Sequence, residues 1–114
     1  MTTEQKLLLD EAWAMRKELW AQGSARVVKG NKLWEEIKQL PGAARVSIWY
    51  AFSEMSCEAA REVAKGYAIR LDADKLWHDN ISKIVGPQTK VTWTYDDQAK
   101  GYDCTLETGE VFKA

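Results

Sequence analysis

Apolar residues recur with the period of an α-helix up to about residue 86, and with the period of a strand from residue 90 onward. The least charged stretch, residues 46–53, reads VSIWYAFS and sits inside the longer stretch 43–71, around which the fold is expected to be organised. Val46, Tyr50, Ser53, Cys57, Ala60, Ala64, Tyr67 and Leu71 alternate at spacings of four and three, one stripe of a helix. Ile48, Phe52, Met55, Ala59 and Val63 form a second stripe beside it. Two adjacent stripes predict a long central helix wrapped by neighbours on more than one side, with small residues allowing close approach. A strand over residues 45–52 is the alternative, because its side chains are strand formers. The helix is preferred, since the pattern runs on into the charged residues 54–65 without a turn signal.

Three further helices are expected around it, giving a four-helix bundle. Thr2 and Gln5 have capping-box spacing, and Leu8, Ala12, Met15 and Leu19, with Leu9, Trp13 and Trp20 alongside, define a first helix closed by Gln22-Gly23-Ser24. Residues 24–30 read as a connector in which Val27 and Val28 need a place to pack. Asn31 caps a short second helix with Leu33, Trp34, Ile37 and Leu40 inward, ended by Pro41-Gly42. Gly66 is either a C-cap or a weak point of the central helix, which leaves residues 67–71 helical or extended. Asp72 or Asp74 caps a last helix carrying Leu76, Trp77, Ile81 and Ile84, stopped by Gly86-Pro87. Asn31-Lys32-Leu33-Trp34 and Asp74-Lys75-Leu76-Trp77 are alike, as two short helices using one cap-and-anchor device would be.

From Lys90 the alternation of Val91, Trp93 and Tyr95 predicts a strand, and Tyr102, Cys104 and Leu106 a second one. Residues 110–113 make a short third strand after Thr108-Gly109. Such a three-stranded antiparallel β-meander needs helices over its apolar face to be stable. Helices followed by strands give an α+β fold in one domain, 1–114, with a helical part at 1–86 and the meander at 89–114.

Composition adds little to this picture. The chain has 114 residues, 46% hydrophobic and 29% charged, with a net charge of −1, so bulk electrostatics favour neither nucleic acid nor an anionic membrane. Residues 1–10 carry acids and three consecutive Leu, not a signal-peptide pattern, and no apolar run is long enough for a bilayer. Cys57 and Cys104 match no metal or redox spacing, and a reducing, cytoplasmic setting is expected.

Candidate chemistry is sparse. His78, the single histidine, lies four helical residues from Asp74, which suits a surface charge pair better than catalysis or metal binding. Cys57 is expected in the core and Cys104 on the inner face of a strand, neither with a basic neighbour to make it nucleophilic. Phosphate loops, serine elbows and metal spacings are missing from the sequence, so no enzymatic activity and no cofactor are expected.

Charge placement yields two candidate binding surfaces. One is a basic segment, residues 16–32, with Arg16, Lys17, Arg26, Lys29 and Lys32 opposed by Glu18. The other is an acidic meander carrying Asp96, Asp97, Asp103, Glu107 and Glu110. Trp20 and Trp34, near the basic segment, are candidate aromatic anchors. These features, with open strand edges, point to a non-enzymatic interaction protein, a small regulator or inhibitor of a larger macromolecular partner. By analogy alone, compact cofactor-free inhibitors encoded by phages have this form. The alternative is nucleic-acid binding through residues 16–32, by phosphate contacts rather than groove reading, since Glu54, Glu58 and Glu62 line the stretch a reading helix would use. A protein partner is favoured over nucleic acid; no membrane is expected, and a homodimer is compatible with the open edges.

Overall fold

The computed structural model describes residues 1–40 and 49–113, and in residues 49–53 the backbone alone. Two helices precede a three-stranded antiparallel sheet: α1 (Thr3–Lys38), α2 (Trp49–Ile84), β1 (Val91–Asp96), β2 (Gly101–Leu106) and β3 (Val111–Phe112), in sheet order β1-β2-β3. The α+β class holds, but among the described residues two helices stand in place of the four-helix bundle. The breaks expected at residues 22–24 and 72–74 do not occur, and residues 67–71 are helical. Of the strand alternative, residues 49–52 belong to α2, and residues 45–48 lie outside the described residues, as does the start of the 43–71 stretch.

The chain divides into two compact units. Met1–Glu18 with Ala73–Ala114 form the first, and Leu19–Asp72 form the second. Both helices contribute to each.

In the second unit the portions of α1 and α2 run antiparallel, and their contact explains why neither glycine ends a helix. Glycine costs about 1 kcal/mol in a helix interior relative to alanine. Here that loss is offset by backbone contact. A Cβ on Gly23 would stand 2.6 Å from the Gly66 carbonyl oxygen, and one on Gly30 would stand 2.8 Å from the Ala59 carbonyl oxygen. Side chains would hold the helices apart, whereas glycine lets their backbones touch. Among the described residues of this unit, Gly23, Val27, Gly30, Ile37, Ala59 and Gly66 are accordingly the buried positions.

Of the two apolar stripes expected to be buried on α2, the first faces out from Cys57 onward. Cys57, Ala60 and Ala64 are exposed, and so are Tyr67 and Leu71, at 50% and 70%. The neighbouring stripe, Met55, Ala59 and Val63, faces inward and continues through Gly66, Arg70, Ala73 and Trp77. On α1, likewise, Leu9 and Trp13 are buried while Leu8 and Met15 are exposed. Val27 finds its place in the core, and Val28 does not.

The first unit holds the larger core. Leu9, Trp13, Trp77, Ile81, Cys104, Leu106 and Phe112 cluster there, so the two helices cover the sheet as its stability requires. Trp77 meets Trp13 and Phe112 edge-on, each at 4.9 Å between ring centroids. Both buried indoles donate hydrogen bonds, Trp13 Nε1 to the Lys113 carbonyl (3.0 Å) and Trp77 Nε1 to Cys104 Sγ (3.4 Å). The register pairs Val91 with Leu106, Trp93 with Cys104 and Tyr95 with Tyr102 along the inner face. Asp96 Oδ1 accepts from the Gln98 and Ala99 amides and so closes the first turn.

The helix ends follow their sequence signals. The Thr2 amide donates to Gln5 Oε1 at 2.9 Å, and the Gln5 amide to Thr2 Oγ1 at 3.1 Å, a complete capping box. Gln5 Nε2 also donates to the Ile84 carbonyl, tying the start of α1 to the end of α2. Gly86, at φ +117°, receives the chain as it leaves α2 and enters Pro87. Among the described residues no helix is long and apolar enough to cross a membrane.

Candidate functional site: the exposed faces of the first unit

The basic segment is not one surface. Arg16 is buried, its Nε donating to Asp74 Oδ1 at 2.9 Å, with its guanidinium stacked over Trp13 and Trp93 at 4.6 and 5.1 Å. It belongs to the core of the first unit, because planar guanidinium combines aromatic stacking with a charge-assisted hydrogen bond. Arg26 approaches Glu62 at 3.8 Å within the second unit. Lys17, Lys29 and Lys32 are exposed. Residues 24–30, expected as a connector, are helix throughout.

Trp20 and Trp34 are half-buried rather than exposed. Trp20 carries the Arg70 guanidinium 4.1 Å above its ring, which removes that face from solvent.

Much of the acidic set serves the meander itself. Asp96 caps its turn, Glu107 Oε2 accepts from the Lys90 amide at 3.2 Å, and Glu110 approaches Lys6 of α1 at 3.8 Å. Asp103 is half-buried opposite Thr94, while Asp97 is exposed in the turn. Tyr95 and Tyr102 stack edge-on at 5.1 Å, and both are about half exposed at the tip of the hairpin.

Cys104 is wholly buried, and burial raises its thiol above its ordinary pKa, outweighing the Trp77 hydrogen bond and the Arg16 charge, which act the other way. That environment suppresses the thiolate. Cys57 is exposed instead of lying in the core, because the small-residue stripe of α2 faces out. His78 is exposed with its ring edge-on to Trp93 at 6.2 Å, while its expected partner Asp74 is engaged by Arg16. Among the described residues no three of His, Cys, Asp and Glu converge in a way that could hold a metal ion.

Sequence periodicity passed over a different feature. Leu8, Met15 and Leu76 are 44%, 54% and 43% exposed in the first unit, with Ala12 half-buried among them. Trp13 meets Trp77 across the antiparallel helices, so Ala12 and Leu76, each one residue earlier, share a flank. Leu8 and Met15 lie four residues before and three after Ala12, on that same flank. His78, one residue after Trp77, lies on the other flank against Trp93 of the sheet. The sheet therefore covers one side of the helix pair and leaves an apolar side open. The signal was present as the stripe Leu8, Ala12, Met15 and Leu19, but sequence alone assigned it to the core.

Comparison with protein-family models, curated proteins and solved structures returns no match for this chain.

Proposed function

We propose that this is a non-enzymatic interaction protein, a small regulator or inhibitor that engages a larger protein partner. The observation that carries the reading is the open apolar flank of the first unit, where Leu8, Met15 and Leu76 meet solvent beside a well-packed core. Grouped exposed apolar side chains of this kind mark binding surfaces, whereas single ones are ordinary. The shielding of Cys104 and the aromatic setting of His78 favour binding over chemistry. Polar side chains at the sheet's outer face and the hairpin tyrosines supply further contact surface.

The test places a photo-crosslinking residue at Met15, and separately at Val28 in the second unit, and exposes each to extract of the source cell. Support is an adduct formed at position 15, not at 28, and lost when Leu8 and Leu76 are both changed to Gln. Equal yields at the two positions, or none at position 15, would remove the reading. The rival of nucleic-acid binding through residues 16–32 would take over if salt-sensitive retention on DNA or RNA disappeared in Lys29→Glu/Lys32→Glu.

A further inference from the structure

We infer that the open flank of the first unit is built to receive a cationic amphipathic helix; this rests on the interaction reading above and names its partner class. The apolar floor is Ala12, with Leu8 and Met15 on α1 and Leu76 on α2 around it. Leu8 and Met15 are seven residues apart, about 10 Å along the helix axis, the spacing at which a docked helix presents successive i and i+7 anchors.

The rim fixes the sign of the partner. Glu4 and Glu11 stand four residues before and three after Leu8, and Glu11 and Glu18 bear the same relation to Met15. Leu8 and Met15 are thus each bracketed by two glutamates on the adjoining row of the helix. On α2, Asp79 follows Leu76 by three residues. All four acids are exposed, and among the described residues the ion pairs of α1 in this unit use Lys6 and Arg16. Lys83, two turns beyond Leu76, is the basic residue on this flank. A greasy strip lined by carboxylates repels an acidic helix and attracts one whose apolar stripe is edged by Lys or Arg. An extended peptide is a poorer fit, because the flank consists of helix surface whose backbone hydrogen bonds are already made.

The experiment uses the full chain and three fluorescent peptides: a Leu–Lys amphipathic helix of about five turns, a scrambled peptide of the same composition, and the corresponding Leu–Glu helix. Anisotropy titrations should rank the Leu–Lys helix tightest, with salt-weakened binding. Leu8→Gln/Met15→Gln should weaken it about tenfold or more, and Glu11→Lys/Glu18→Lys about as much, while Val28→Gln leaves it unchanged. Circular dichroism melts check that each variant is folded. Equal affinity for the scrambled or Leu–Glu peptide, or indifference to the Leu8/Met15 pair, overturns the inference. So does concentration-dependent sedimentation abolished by Leu8→Gln/Met15→Gln, which puts a second copy on the flank. If the peptides show no preference but the position-15 adduct still forms, the interaction reading stands and the cationic helix falls.

Discussion

Gly23 of α1 and Gly66 of α2 meet backbone to backbone. A Cβ on Gly66 would lie 2.5 Å from the Gly23 carbonyl oxygen and 2.8 Å from the Val27 amide nitrogen, and one on Gly23 would lie 2.6 Å from the Gly66 carbonyl oxygen. On helix propensity alone, Gly→Ala at either position would stabilise the chain by about 1 kcal/mol. The contact reverses that sign, because backbone atoms cannot rotate away as a side chain would. Gly23→Ala and Gly66→Ala are each expected to destabilise by about 1–3 kcal/mol, read as a lowered urea midpoint. A raised midpoint in both would mean that the two backbones are not in contact.

These glycines also explain how the sequence misleads. Helix rules treat Gln22-Gly23-Ser24 as a stop, and locally they are right, since nothing within one helix favours glycine at its centre. The reason for Gly23 lies 43 residues away in Gly66, beyond the reach of any local pattern. The sheet was legible because its information is local, in the alternation of Val91, Trp93 and Tyr95 and of Tyr102, Cys104 and Leu106. The capping box at Thr2 and Gln5 was legible for the same reason.

That only one of two adjacent apolar stripes would be buried was not legible, and α2 supplies a check. Cys57, Ala60, Ala64, Tyr67 and Leu71 have helical spacing as regular as the stripe that is buried, but glycine and alanine in the buried stripe carry little hydropathy. Close packing, not apolar weight, decided which side turned inward. Leu71→Gln should therefore change stability by less than about 0.5 kcal/mol in a urea titration, as expected of a surface site. A loss of several kcal/mol would restore the stripe to the core. The binding flank was obscured by the same ambiguity, since Leu8 and Met15 look like core residues until Leu9 and Trp13 are seen to be the buried pair.

The Arg16–Asp74 pair gives a third test. The guanidinium is 8% exposed and the aspartate side chain 34%, so the pair is partly screened and worth less than a fully buried one. Asp74→Ala deprives Arg16 Nε of its 2.9 Å acceptor and is expected to cost about 1–3 kcal/mol. Arg16→Lys should also destabilise, because an ammonium cannot stack on Trp13 and Trp93 while donating to Asp74. In a double-mutant cycle of Asp74→Ala with Arg16→Met the combined loss should be smaller than the sum. Strict additivity would show that the two side chains do not interact.

The two thiols should differ sharply in reactivity and in what they do to stability. Cys57 is exposed and should react with a thiol reagent as soon as it is added, whereas Cys104 should react only after unfolding. Cys104 also imposes a pH dependence whose sign follows from its raised pKa. Below about pH 8 the thiol is protonated in both the folded and unfolded chains and contributes no slope. As pH rises through the ordinary thiol value near 9.0, the unfolded chain releases the proton while burial makes the folded chain retain it. The unfolded state then binds fewer protons, so stability falls with increasing pH until the folded thiol also ionises. Urea midpoints measured from pH 7 to 10 should therefore decline more steeply in the native chain than in Cys104→Ala, even though the alanine variant starts lower through its cavity. Parallel profiles would separate Cys104 from the alkaline loss, and rapid modification of both thiols in the folded protein would place Cys104 outside the core.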